Sequence, residues 1–407
     1  MRVIIIHDFA SLSKGAGATR CAIVGACALA ASGVEVIYFA PVGPVDDCLK
    51  SAGIQVICLD QSDIARGTNR VQSILQGVWN LRAQNALLEL LSRCRDKKTV
   101  VHVHMWSKAL SPSIGPVLVA SGLPVVMHLH EYFLACPNGG FFDYQAGEVC
   151  HRDPLSLSCL TTNCDARSPL HKGWRVLRQA ILHGPGQLPR GISNFIYLST
   201  LQKEVMQPHM PSGALWFRVT NPITVEKRSP AIIADDAPLL YVGRMSPEKG
   251  VQLFADLVHQ HKLPAVFVGE GPIADDVRKR APQADFRGWV SPHAVAEIMR
   301  TARALVFPSL WYEGMPVTVM EALACGIPVI LSDATTAREV VIDEENGLIF
   351  RSGDASSLLQ ALERVQDNDF VRRLGATAHR RYWAAPSTVE RHVQELKAVY
   401  EQMLSAG

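Results

Sequence analysis

Short β-branched runs alternate with helix-forming stretches along this chain, and the alternation fades near residue 210 and starts afresh near residue 239. In the first series, Val3–Ile6 is followed by a Gly-rich loop, Lys14 to Gly17. An Ala-rich stretch, Thr19–Ala31, is closed by Gly33 and leads to a second run, Val34–Phe39. Strand, loop, helix, strand is the opening of a parallel α/β sheet. Further strands are expected at Ile54–Leu59, Val100–His104, Val125–Leu129 and Phe195–Leu198, with a helix over Val71–Arg93. In the second series the expected strands are Leu239–Val242, Ala265–Val268, Ala304–Phe307 and Pro328–Leu331. The helices expected there are Val251–His261, Pro316–Ala324, Ser356–Arg364, Asp369–Tyr382 and Val389–Ser405.

A chain of 407 residues exceeds one ordinary core. The pattern divides it into an N-terminal Rossmann-like domain, 1–210, with a long loop at 131–168, and a linker, 211–237. A second Rossmann-like domain, 238–380, and a helical segment, 381–407, complete the chain. In doubly wound sheets ligands gather at the carboxyl ends of the strands, so a cleft between two such domains is the expected site. A net charge of +2 provides no field for nucleic acid. The apolar start, Val3 to Ile6, is far short of a secretory h-region. The longest apolar stretch, Cys21 to Ala31, falls short of the roughly 20 residues of a membrane span. A cytoplasmic protein is expected.

The richest segment is residues 308–333, PSLWYEGMPVTVMEALACGIPVILSD. Glu313-Gly314-Met315 lies in a loop after an apolar run. Pro316 suits the first helical position, and Gly326 suits the stop. The helix between them aims free N–H groups at whatever follows the preceding strand, a setting that favours phosphate. Glu313 precedes the helix and Glu321 stands about two turns in, and a carboxylate accepts sugar hydroxyls. This pair and its surroundings resemble the E-x7-E signature of the large retaining glycosyltransferase family 4, of GT-B fold. The resemblance implies that Glu321 holds the donor ribose and that Glu313 contacts the transferred sugar.

The segment VGRMSPEKG, Val242–Gly250, follows the first strand of the second series. Fixed cations stabilise a departing diphosphate. Arg244 and Lys249 look like the pair that family 4 enzymes use in place of a metal. Gly269-Glu270-Gly271-Pro272 resembles the element that borders the donor, and the stretch ending at Val290 resembles the one that reads the nucleobase.

In the first half, Gly15-Ala16-Gly17 is neither a Walker motif nor a full dinucleotide fingerprint. The resemblance makes Gly15 and Gly17 part of a loop that brushes the donor phosphates. His102, His104, His128 and His130 fall in pairs, each on one face of its strand. His130-Glu131 resembles the family's His-Asp step, where the His meets the donor sugar, with Glu in place of the usual Asp.

Four cysteines, Cys136, Cys150, Cys159 and Cys164, share one loop, with His151 adjacent. Four thiolates suit a structural zinc ion, yet no C-x2-C spacing occurs. Zinc, plain thiols, and a cluster or disulfide all stand as readings. The stretch His171–Arg178 is basic and aromatic, suited to a solvated helix or to a membrane surface near a lipid-linked acceptor.

The resemblance implies a metal-independent retaining glycosyltransferase. It would move a hexosyl unit from a nucleoside-diphosphate sugar to a glycan or polyprenyl-diphosphate-linked acceptor bound by the first domain. Surface polysaccharide synthesis, peripheral on the inner face of the cytoplasmic membrane, is the expected setting. The same fold hosts sugar-nucleotide epimerases, and a non-catalytic nucleotide-sugar-binding protein is the other rival.

Overall fold

The computed structural model describes residues 1–14, 17–65, 67, 69–95 and 98–405. The chain divides into two compact units. One holds residues 1–140, 152–222 and 387–407, and the other holds 141–151 and 223–386.

The first unit is built on a seven-stranded sheet. In chain order its strands are β1 (Arg2–Ile6), β2 (Glu35–Ala40), β3 (Gln55–Cys58), β4 (Thr99–Val103) and β5 (Val125–His128). A short hairpin, β6 (Phe142–Asp143) and β7 (Glu148–Val149), interrupts the series and groups with the second unit. Then come β8 (Asn194–Tyr197) and β9 (Leu215–Arg218). The sheet order is β3-β2-β1-β4-β5-β8-β9, and every pair is parallel. All five residues of β1 and of β4 are buried, as expected for central strands covered on both faces.

Three expectations are revised here. The stretch Val71–Arg93 forms two helices, Arg70–Val78 and Leu81–Ser92. Asn80 breaks it, its side chain capping the second helix through the amide of Ala83. Within the stretch read as linker, Leu215–Arg218 pairs with β8. Its pattern, LWFR, is too short and too exposed for periodicity to announce it. Within the stretch read as one irregular loop lie the hairpin and a short helix, Leu157–Thr161, capped by Ser156.

The C-terminal helix, Val389–Ser405, packs on the first unit. Its Val393, Leu396, Val399, Tyr400 and Met403 share a core with Ala22, Ile23, Ala26 and Leu29 of the helix Gly17–Ala31.

The second unit has a six-stranded parallel sheet. Its strands are β10 (Leu239–Val242), β11 (Ala265–Val268), β12 (Asp285–Gly288), β13 (Ala304–Phe307), β14 (Val329–Ser332) and β15 (Gly347–Phe350). Their order is β12-β11-β10-β13-β14-β15. The strand order reverses between β10 and β13, and in such sheets the ligand crevice opens there, beyond the carboxyl ends.

Candidate donor site and its neighbours

Two loops meet at that reversal. One follows β10 and the other follows β13. The Leu310 amide donates to the Glu248 carbonyl at 2.9 Å, and the Ser309 hydroxyl reaches the same oxygen at 3.4 Å. Gly250 makes the approach feasible. Its φ is +62°, and a Cβ there would lie 2.0 Å from the Pro308 carbonyl oxygen, so only glycine fits.

The joined loops bring the predicted residues together. Lys249 Nζ donates to Glu313 Oε1 at 2.6 Å, and the Ser309 hydroxyl donates to the same oxygen at 2.6 Å. Glu313 is buried and adopts a φ of +59°. A left-handed glutamate is costly, and these two donors fix its carboxylate. The Lys249 ammonium also lies 5.4 Å from the centre of the Trp311 ring. Gly314 and Met315 are half-buried and lead into the helix Val317–Cys325.

Pro316 is the residue before that helix rather than its first turn. Its ψ of 113° is extended, and its carbonyl accepts from the amide of Val319 at 3.2 Å. Having no N–H, it can stand at either position. Gly326, with φ +78°, ends the helix as expected. Glu321 is buried on it.

Arg244 is exposed. Its backbone is held from below, since the buried Tyr241 hydroxyl donates to the Arg244 carbonyl at 2.8 Å. Tyr241 reads in the sequence as one more apolar strand residue, so this positioning role was not legible. Gly271 packs against the same loop, where a Cβ would lie 2.1 Å from the Met245 carbonyl oxygen. Val290 is half-buried just past β12, beside Trp289, which is 74% exposed. Val290, Gly271, Arg244, Lys249 and Glu313 therefore stand at the carboxyl ends of four neighbouring strands.

In the first unit, Gly15 lies outside the described residues, and Gly17 is the exposed first residue of the helix Gly17–Ala31. The four strand-end histidines form one cluster. His102 Nε2 meets His128 Nδ1 at 3.2 Å, and His104 Nδ1 meets His130 Nε2 at 2.9 Å. Burial holds His130 well below the ordinary histidine range, with further lowering from the neighbouring imidazoles. Burial pushes the Glu131 carboxyl up, against Ser107, Lys108 and Arg178, which pull it down.

None of the ten cysteines is in a disulfide. Lys172 Nζ donates to Cys164 Sγ at 3.0 Å and to Cys159 Sγ at 3.6 Å, and Asn138 Nδ2 donates to Cys164 Sγ at 3.1 Å. Cys136, Cys159 and Cys164 are buried, whereas Cys150 lies on the segment that groups with the second unit. Burial lowers the Lys172 pKa, but Cys164, Cys159 and Cys136 outweigh it and hold the ammonium above its ordinary value.

The helix Pro169–His183 is not a free basic face. Lys172 and Arg178 are buried, and Arg178 stacks over Trp106, Phe133 and Trp174. Arg175 pairs with the buried Asp165 at 3.0 Å. Alternation of charge and aromatic residues looks alike whether the cations face water or pack on rings.

Residues 237–368 match the profile of a family described as Glycosyl transferases group 1. A UDP-Gal:alpha-D-GlcNAc-diphosphoundecaprenol alpha-1,3-galactosyltransferase of Escherichia coli is 26% identical, over 46% of this chain and 54% of that protein. A phosphatidyl-myo-inositol mannosyltransferase of Mycolicibacterium smegmatis is 28% identical, over 52% and 58%. The chain thus spans about half the length of the curated relatives it matches.

Among solved structures, a sucrose-phosphate synthase from Thermosynechococcus elongatus superposes with a TM-score of 0.70 at 19% identity, over 100% of both chains. HepE of Anabaena, in complex with UDP-glucose, gives 0.66 at 14% identity, over 99% of this chain and 100% of that one. Residues 237–368 are thus similar to the group 1 glycosyltransferases, and the fold is GT-B.

Proposed function

We propose that this protein is a retaining, metal-independent glycosyltransferase. It moves a hexosyl unit from a nucleoside-diphosphate sugar to a glycan or lipid-linked acceptor in surface polysaccharide synthesis. The observation that carries the reading is the Lys249–Glu313–Ser309 arrangement at the sheet reversal of the second unit, with the exposed Arg244 on the same loop as Lys249.

As the bond from the anomeric carbon to the β-phosphate oxygen breaks, negative charge grows on the diphosphate. Arg244 and Lys249 neutralise it without a metal, and preorganised charge of this kind lowers the barrier most where water is excluded. The departing phosphate oxygen takes the proton of the attacking acceptor hydroxyl, which approaches on the same face. Glu313, Gly314, Met315 and Pro316 line the transferred sugar and the diphosphate, while Glu321 binds the ribose hydroxyls. Gly271 and Val290 border the diphosphate and the base. In the first unit, His130 is assigned to the donor sugar, and Gly15 and Gly17 to the phosphates. Relatives support the substrate classes: the Escherichia coli protein is named for a UDP-galactose donor and a diphosphoundecaprenol-linked acceptor.

Peripheral membrane contact belongs to this reading. No described helix is long and apolar enough to cross a membrane. However, Val71, Ile74 and Leu75, at helical spacing on Arg70–Val78, are 66%, 48% and 63% exposed. An apolar stripe of this kind suits the acyl boundary of a lipid surface.

The test is transfer itself. NMR of the product formed from an α-linked nucleotide sugar should show an α linkage, at a rate that chelator does not lower. A β linkage would overturn retention. Isomerised sugar nucleotide without acceptor would indicate an epimerase instead.

A further inference from the structure

The histidine cluster holds one group that nothing among the described residues satisfies. His128 is buried, and its Nε2 has no hydrogen-bond partner among the described residues. Its other nitrogen is firmly held. His128 Nδ1 meets His102 Nε2 at 3.2 Å, and His102 Nδ1 meets the Tyr400 hydroxyl at 2.6 Å. Two directions of proton donation are open along this relay. In one, His128 Nε2 is a buried N–H facing nothing. In the other, His128 donates to His102, His102 donates to Tyr400, and His128 Nε2 is a bare lone pair. The second is how a metal-binding imidazole is held, with its far N–H donated outward to fix the ring.

Three further ligand groups lie close to His128. Ligand atoms of Cys21, His104, His128 and His130 all lie within 4.8 Å of one another. Tetrahedral zinc, with bonds of about 2.0–2.1 Å to nitrogen and about 2.3 Å to sulfur, needs ligand atoms about 3.4 Å apart. Small side-chain rotations close that difference. The contact of His104 Nδ1 with His130 Nε2 at 2.9 Å shows two of the imidazoles already converging. Cys21, His104 and His128 are buried, and His130 is half-buried, so the pocket has one more open side. The ligands come from the helix Gly17–Ala31 and from the ends of β4 and β5, rigid elements that suit a preformed site.

We propose that Cys21, His104, His128 and His130 form a binding site for one zinc ion, with His102 and Tyr400 orienting His128 from behind. One thiolate and three neutral imidazoles in tetrahedral array select zinc over calcium or magnesium. Binding converts the Cys21 thiol to thiolate and releases its proton to solvent. It also withdraws His130 from any sugar contact, so the ion acts as a brake on the chemistry proposed above. The site stands or falls independently of that chemistry.

The test uses the full chain, freed of metal and titrated with cobalt(II) as a spectroscopic stand-in for zinc. The expected result is one cobalt per chain, with strong tetrahedral visible bands and a thiolate-to-cobalt band in the near ultraviolet, all displaced by zinc. Cys21→Ser should remove the thiolate band, and His128→Gln should weaken binding by about 10-fold or more. X-ray absorption of the zinc-loaded wild type needs no variant and should count one sulfur and three nitrogens. A thiolate band that survives Cys21→Ser but disappears in Cys159→Ser would overturn the site. A zinc shell of several sulfurs, or no saturable binding, would do the same.

Discussion

Lys249 and Glu313 lie 64 residues apart in sequence, yet the Lys249 ammonium donates to the Glu313 carboxylate at 2.6 Å. The lysine side chain is 20% exposed and the glutamate 9%, so the pair is largely desolvated. Such a pair adds little net stability, but breaking it is costly. Its value is positional: each charge fixes the other at the carboxyl end of the sheet, where the proposed donor diphosphate would sit.

Lys249→Ala should therefore lower transfer by about 100- to 1000-fold, the usual effect of losing one preorganised charge-stabilising group. Thermal melting should show a folded protein. Steady-state turnover beside a melting curve checks this, and near-normal turnover would remove Lys249 from the diphosphate.

Gly250→Ala tests the junction of the two loops. The added Cβ would meet the Pro308 carbonyl at 2.0 Å, on a left-handed residue. We expect a loss of at least about 3 kcal/mol in urea unfolding, combining strain and overlap. Gly213→Ala is the control. It is also left-handed but faces open space, and should cost about 1 kcal/mol.

Acid should destabilise the first unit. Burial holds His7 and His102 at about 3 and His392 at about 4. In the unfolded chain each titrates near 6.5, so below that pH the unfolded state binds more protons. Stability is full above pH 6.5 and falls as pH drops through 6.5 toward the folded values. At pH 5 the loss is about 2 kcal/mol per histidine. Urea midpoints at pH 7.5 and 5 read this directly, and equal midpoints would contradict it.

The exposed stripe on Arg70–Val78 gives a membrane prediction. Leu75→Glu should reduce binding to anionic phospholipid vesicles by about 10-fold or more, since one buried leucine contributes about 1.5–3 kcal/mol. Flotation assays read this. Unchanged binding would place any lipid contact elsewhere.

Much of the fold was legible because doubly wound sheets write themselves as short apolar runs separated by helices. The boundaries of β10, β11 and β13 stand in the sequence as read. Leu215–Arg218 and Gly347–Phe350 were not read as strands, because four residues at or near a sheet edge carry too little pattern. At the candidate site, Lys249 and Glu313 were visible through their motifs, and their pairing is a product of the fold. Tyr241, Ser309 and Gly250 were not singled out, because their roles arise only when the loops after β10 and β13 come together. The charge pattern of His171–Arg178 was read outward, whereas Lys172 and Arg178 turn in toward thiols and rings.

The most direct test of the account is calorimetric titration of UDP, GDP and ADP into the wild-type protein and into Glu321→Ala. One diphosphate should bind with one site per chain. Binding should weaken by about 10- to 100-fold in the variant, the effect of losing a charged hydrogen-bond acceptor. Failure of all three to bind well-folded wild type, or equal binding by Glu321→Ala, would contradict it.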